Sequence, residues 1–134
     1  MIPPDTRPLF IIDDDDDLRK ALALIMTSSG YEVSAFGNAR LALRALESGR
    51  EPFLILLDLM MADMSGWEFR AAQLENPRFA SIPVVVLTAG TTLTDGTHTL
   101  SEVEFLFKPF ELDSLLAVVS RYADTARTRQ TQRP

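Results

Sequence analysis

Apolar positions along the chain follow two different spacings, and their alternation predicts an α/β domain. Short runs rich in large apolar or β-branched residues are separated by longer stretches whose apolar residues recur every three or four positions. The short runs predict strands and the longer stretches predict helices, and such alternation is typical of a parallel sheet. The predicted strands cover residues 9–12, 31–36, 53–58, 83–87 and 104–107. The predicted helices cover residues 16–29, 38–48, 66–74 and 111–122, with a short or partly unwound one within 90–99.

Two of these strands carry no polar interruption, which indicates that both of their faces are buried. Residues 53–57 and 84–87 are entirely apolar, as expected for strands covered by helices on each side. The second strand instead alternates apolar and polar residues, which predicts a half-exposed edge strand. The fold class predicted is therefore α/β, a doubly wound five-stranded parallel sheet.

Local signals set the predicted ends of the helices. Asn38 is a suitable N-cap for the second helix, and Gly30 and Gly49 are suitable stops for the first two. The third helix begins at Ser65–Gly66, and its spacing predicts that it buries Trp67, Ala71 and Leu74.

Length and composition favour one domain. A chain of 134 residues matches the usual size of a single domain. Residues 1–8 contain three prolines and predict an irregular arm, residues 9–122 form the domain, and residues 123–134 predict a disordered tail or a linker.

Composition also excludes several function classes. The chain has no run long enough for a membrane span and no signal peptide at its start, which makes a cytoplasmic location the expectation. It has no cysteine and a single histidine, His98, so thiol chemistry and histidine-rich metal sites are excluded. A net charge of −6 weighs against direct binding of nucleic acid.

The polar residues of interest all follow predicted strands. Asp13 and Asp14 follow the first strand, Asp58 ends the third, Thr88 ends the fourth and Lys108 follows the last. Because the carboxyl ends of parallel strands share one edge of the sheet, we expect these side chains to converge there. Clustered carboxylates repel one another unless a divalent cation binds them. A cation, an ammonium and a hydroxyl around a carboxylate predict phosphoryl transfer in which the carboxylate is the nucleophile.

Four motifs in this order resemble a known family. The segments LFIIDDDDDLRKAL, ILLDLMM, VVVLTAG and FKPF together resemble the receiver domain of bacterial two-component response regulators. The resemblance covers about residues 9–122. It implies the flavodoxin-like receiver fold with strand order 2-1-3-4-5.

The resemblance implies a phosphoacceptor and a metal site. Asp58 would take a phosphoryl group from a histidine kinase or a histidine phosphotransfer protein. Asp14 would bind Mg²⁺ directly and Asp13 through water, with Asp58 and the backbone carbonyl of Met60 as further ligands.

It also implies a switch. Thr88 would bond a phosphoryl oxygen, Lys108 would pair with the acyl phosphate, and the Lys108–Pro109 peptide bond would be cis. Phe105 would rotate with Thr88 and so alter the surface formed by the fourth helical connection, the last strand and the final helix. That surface would meet a partner, an output domain or, in a homodimer, a second copy of the chain.

The function implied is signalling rather than metabolic catalysis, in a domain that promotes its own phosphorylation and dephosphorylation. The alternative is a Mg²⁺-dependent aspartyl-nucleophile phosphohydrolase, which needs a general acid two residues after its nucleophile. Met60 occupies that position. A further reading of residues 13–17 is a solvated acidic patch.

Two departures from the family pattern bear on mechanism. Ala62 stands where a proline is common, so we expect a looser loop after Asp58. The segment between Thr88 and Lys108 is short and lacks the usual Gly-Ala before the last strand, which puts its helix in doubt.

Overall fold

The structure, a computed structural model, describes residues 7–90, 96, 100 and 103–131, except for the side chains of residues 127 and 129–131. Its strands are β1 (Leu9–Ile12), β2 (Val33–Phe36), β3 (Leu54–Asp58), β4 (Val84–Thr88) and β5 (Glu104–Phe107). Its helices are α1 (Asp16–Ser28), α2 (Ala39–Glu47), α3 (Gly66–Glu75) and α4 (Leu112–Thr131). Within these ranges, no helix has the length and apolar character needed to cross a membrane.

The five strands form one parallel sheet in the order β2-β1-β3-β4-β5. The register sets Ile12 beside Leu57, and Asp58 beside Leu87. The predicted fold class and strand order are confirmed, and β2 is an edge strand as its alternation predicted.

Each face of the sheet has its own apolar core, which explains why the central strands show no alternation. Phe10, Ile55 and Val86 point to one face and pack with residues of α2 and α3. Their chain neighbours on β1, β3 and β4 point to the other face and pack with residues of α1 and α4. All residues of β1, β3 and β4 are buried.

Side-chain caps hold the helices at the edge of the sheet that carries the candidate residues. Asn38 accepts a hydrogen bond from the Leu41 N–H at 2.9 Å, which confirms its predicted cap role. Ser65 and Glu68 form a reciprocal capping box at the start of α3. Asp15 caps α1 in the same way as Asn38 caps α2.

The predicted buried face of α3 is partly wrong. Leu74 is 45% exposed, whereas Arg70 and Gln73 are buried. The Gln73 amide donates to the carbonyl oxygens of Phe79 at 3.0 Å and Ile82 at 2.9 Å, so the helix ties down the connection into β4 with a polar group. These two bonds replace the ones that the Gln73 amide would make with water. The helix can therefore bury Gln73, although helical spacing favoured burial of Leu74.

The predicted end of the last helix at Tyr122 is also wrong, because α4 continues to Thr131. Ala123 and Ala126 are buried in the core that contains Phe53, and no glycine or proline interrupts residues 123–131. Packing of these small residues therefore adds a helical extension where polar composition predicted a tail. The helix expected within 90–99, most of the arm and residues 132–134 lie outside the described residues.

Candidate active site

Three carboxylates lie together at the carboxyl ends of β1 and β3. Asp13 is fully buried, Asp58 is 7% exposed and Asp14 is exposed. One oxygen from each carboxylate lies within 4.8 Å of the others. Because β1 and β3 are neighbours in the sheet, their ends bring together residues 45 positions apart in the chain, as the sequence predicted.

Lys108 lies beside two of these carboxylates. Its Nζ is 3.6 Å from Asp13 Oδ2 and 3.6 Å from Asp58 Oδ1. The backbone N–H of Lys108 donates to the Thr88 carbonyl oxygen at 2.8 Å, which fixes the lysine at the end of β5. The peptide bond between Lys108 and Pro109 is cis, as the family resemblance implied. With three carboxylates against one ammonium, the cluster keeps a negative excess that attracts cations.

The hydrogen bonds of Asp13 leave one of its oxygens available to a cation. Asp13 Oδ1 accepts a hydrogen bond from the Asp15 N–H at 2.9 Å. Oδ2 is buried and accepts no hydrogen bond among the described residues, and the ammonium of Lys108 lies 3.6 Å from it. A buried carboxylate oxygen without a hydrogen bond is costly, and an oxygen-preferring divalent cation beside the ammonium would satisfy this one. The donor set of three carboxylates therefore fits Mg²⁺.

The ionisation of Asp58 responds to this environment. Burial, and after it the negative charge of Asp13, raise the pKa of the Asp58 carboxyl, which lies at about 6 when all its neighbours are taken together. The ammonium of Lys108 and a hydrogen bond from the Met60 N–H oppose this rise in pKa. Asp58 is therefore charged at neutral pH, and this buried charge lowers the stability of the folded state. A bound cation would offset that loss.

The raised pKa predicts how stability depends on pH when no divalent cation is present. Because the folded-state pKa lies above the ordinary value of 3.8, the fold favours the protonated form. The contribution of Asp58 is fully present below the unfolded pKa and is lost as the pH rises through about 6. Urea denaturation in chelator should find Asp58→Asn more stable than the parent at pH 7, with the difference shrinking towards pH 4. Parallel stability profiles for the two proteins would contradict this.

Thr88 and Phe105 lie at the predicted positions on neighbouring strands. Thr88 is buried at the end of β4, and its Oγ1 accepts a hydrogen bond from the Gly90 N–H at 3.1 Å. Its hydroxyl proton remains able to donate. Phe105 is partly buried against the core, with its ring centroid 6.0 Å from that of Phe107.

The loop after Asp58, residues 59–65, contains site features that sequence reasoning missed. Gly66 follows it, and a Cβ on Gly66 would lie 2.5 Å from the Asp58 carbonyl oxygen and 2.7 Å from Leu59 Cα. Asp63 has a positive φ of 66° and pairs with Arg40 of α2, whose Nε lies 2.6 Å from Asp63 Oδ2. A glycine at the start of a helix was the available signal for the first feature. Nothing local in the sequence links Arg40 to Asp63.

Met60 and Trp67 border the site without joining the acidic cluster. Met60 is 73% exposed, and Trp67 is buried in the α2–α3 core near the base of the loop. The indole N–H of Trp67 has no hydrogen-bond partner among the described residues.

Comparison with known proteins agrees with this geometry. A family model described as the response regulator receiver domain matches residues 9–120. The chain is 35% identical over 111 residues to the transcriptional regulatory protein BasR of Escherichia coli K12, covering 81% of this chain and 49% of BasR. It is 30% identical over 115 residues to the DNA-binding transcriptional regulator NtrC of Proteus hauseri, covering 84% of this chain and 24% of NtrC. The chain thus spans about half or less of the length of these curated relatives.

Solved structures share the fold. A CheY-like response regulator receiver domain protein from Methanospirillum hungatei JF-1 is 26% identical, with a TM-score of 0.79 over 92% of this chain and 99% of that one.

Proposed function

We propose that this chain, which belongs to the response regulator receiver domain family of two-component signalling, accepts a phosphoryl group on Asp58 and relays that event to a partner. The observation that supports this most directly is the contact of Lys108 Nζ with both Asp58 and Asp13, at 3.6 Å each. The Lys108 ammonium lies where it can pair with the negative charge of a phosphoryl group on Asp58. The donor would be a histidine kinase or a histidine phosphotransfer protein.

The proposed reaction forms a bond between an Asp58 carboxylate oxygen and phosphorus while the bond from phosphorus to the donor breaks. Mg²⁺, held by Asp13, Asp14, Asp58 and the Met60 carbonyl, would supply positive charge for the phosphoryl oxygens. Lys108 would pair with one of those oxygens. The Thr88 hydroxyl would donate to another, and Phe105 would follow it into the space vacated.

The phosphohydrolase alternative finds less support in the site. The position two residues beyond Asp58 belongs to Met60, an exposed thioether side chain that holds no transferable proton. Such an enzyme needs an acid there to protonate its leaving group. Transfer to Asp58 followed by slow release suits a signalling domain, and a homodimer or output domain would read the switch through β5 and α4.

Exposure of the native protein to acetyl phosphate and Mg²⁺ tests this function. We expect a gain of one phosphoryl mass by intact-protein mass spectrometry. Steady release of phosphate from many organic phosphates, with no labelled protein, would instead support the hydrolase.

Mg²⁺ should raise the thermal midpoint of the protein, because it relieves repulsion among three carboxylates and binds only the folded state. Asp14→Ala should lose this Mg²⁺-dependent rise. Asp17→Ala is the control, since Asp17 is an exposed acid in the same run that lies outside the cluster. A parent protein indifferent to Mg²⁺, or equal losses in both variants, would identify residues 13–17 as a solvated patch.

A further inference from the structure

The loop of residues 59–65 is held to the rest of the fold by apolar packing and by a few polar contacts. Leu59 is buried in the α2–α3 core, and Met61 and Met64 pack against that core. The end of the loop is fixed by the Ser65 capping box and by the Gly66 N–H, which donates to the Leu59 carbonyl at 2.9 Å. At its middle, the Ala62 N–H meets Asp14 Oδ2 at a long 3.4 Å. Ala62 lacks the restricted φ of proline, so the backbone alone does little to order this segment.

The second polar contact at the middle of the loop is an ion pair with two-point geometry. Arg40 Nε lies 2.6 Å from Asp63 Oδ2, and Arg40 Nη2 lies 3.5 Å from Asp63 Oδ1. The shared hydrogen bond raises the pKa of Arg40 and lowers that of Asp63, so both groups stay charged over the neutral range. A planar guanidinium facing both oxygens of a carboxylate fixes orientation as well as distance.

The backbone at Asp63 makes this contact selective for one loop shape. Its φ of 66° lies in the left-handed region, which costs free energy for residues other than glycine and is best tolerated by Asn and Asp. The ion pair therefore stabilises, at the exposed middle of the loop, a backbone conformation that carries a free-energy cost, while Met61 and Met64 pack against the core on either side. That conformation sets the backbone of Met60 and Ala62, whose N–H groups donate to Asp58 and Asp14 respectively.

We propose that Arg40 and Asp63 are positioning residues for the phosphorylation site, with the first turn of α2 holding the loop after Asp58 in the shape that presents its backbone to the acidic cluster. This inference rests on the proposed function and extends it to a pair on a different helix. Neither side chain touches the reacting atoms. Both act through the loop backbone.

Because the two residues carry opposite charges, variants at each of them distinguish a positioning role from a long-range electrostatic effect. If Arg40 acted only through its charge, Arg40→Met would strengthen Mg²⁺ binding at the acidic cluster, and Asp63→Asn would weaken it. If the pair acts by holding the loop, both variants weaken Mg²⁺ binding. Asn is suited to the test because it tolerates the same φ as Asp while removing the charge.

The experiment compares Arg40→Met, Asp63→Asn and the double variant with the parent in 0.15 M salt. We expect each single variant to lower Mg²⁺ affinity and the rate of labelling by acetyl phosphate about two- to fivefold, the scale of an exposed ion pair. The double variant should lose no more than either single one, because both remove the same contact. In metal-free protein, amide hydrogen exchange should speed up at residues 60–64 in both variants. Arg40→Lys should lower Mg²⁺ affinity and labelling rate less than Arg40→Met does.

Arg78→Met is the matched control. It breaks another exposed arginine contact to α2, Arg78 Nη2 to the Glu47 carbonyl oxygen at 3.2 Å, which lies outside the loop after Asp58 and outside β5 and α4. It should leave Mg²⁺ affinity, labelling rate and exchange at residues 60–64 unchanged. Two outcomes would overturn the positioning role and leave the proposed function standing. In the first, Arg40→Met and Asp63→Asn change Mg²⁺ affinity in opposite directions. In the second, the parent is labelled normally and the variants match it in Mg²⁺ affinity and labelling rate. A parent that neither binds Mg²⁺ nor takes up phosphate would overturn both the positioning role and the proposed function.

Discussion

Asp58→Asn is expected to abolish labelling by acetyl phosphate while leaving the fold intact. The amide has nearly the shape of the carboxylate but cannot supply the oxygen nucleophile for an acyl phosphate. Asp13 and Asp14 do not replace it, because Asp13 is fully buried and Asp14 lies outside the contact with Lys108. Labelling should fall to background in intact-protein mass spectrometry.

The stability of this variant makes the result interpretable. Removal of a buried charge beside Asp13 should raise stability at neutral pH in chelator, so lost labelling cannot be ascribed to unfolding. Asp17→Asn makes the same chemical change in an exposed acid and should be labelled like the parent. Retained labelling of Asp58→Asn, or a phosphoryl group mapped to another residue in the parent, would refute the assignment of Asp58.

Gly66→Ala is expected to cause the largest loss of stability among single-methyl additions at the described glycines. Its Cβ would come within 2.5 Å of the Asp58 carbonyl oxygen and 2.7 Å of Leu59 Cα, and both atoms belong to backbone that cannot swing aside. Overpacking of this kind costs about 3 kcal/mol. For a domain of this size that lowers the thermal midpoint by roughly 10 °C. Displacement of Asp58 and Leu59 should also slow labelling.

Gly37→Ala is the control for Gly66→Ala. Its Cβ would approach only the guanidinium of Arg19, at 3.2 Å, and the end of a flexible side chain can move. We expect a change in stability within about 1 kcal/mol. Equal midpoints for Gly66→Ala and the parent would mean that α3 can move away from the end of β3.

The sequence predicted most of the sheet because its central strands have no other way to bury their residues. Residues 53–57 and 84–87 are continuous apolar runs, and a strand that must hide both faces belongs in the middle of a parallel sheet. Asp13, Asp58 and Lys108 were found for the same reason, since topology alone assembles groups at strand ends.

The missed features depend on contacts between elements that no local pattern encodes. The burial of Gln73 depends on the carbonyls of Phe79 and Ile82, and the extension of α4 depends on the fit of Ala123 and Ala126 into a core already built by other strands. The Arg40–Asp63 pair joins residues 23 positions apart through side chains that, taken singly, look like ordinary surface charges.

The middle position of β1 has a consequence for the timing of synthesis. β1 is the first of the five strands to be synthesised, yet it pairs with β2 on one edge and with β3 on the other. Until the chain has been synthesised as far as Asp58, β1, its most buried strand, therefore has one edge without a partner strand. When β3 adds to that edge, the same event brings Asp58 beside Asp13. The acidic site is thus assembled together with the centre of the sheet, and a chain that stalls before this point has neither.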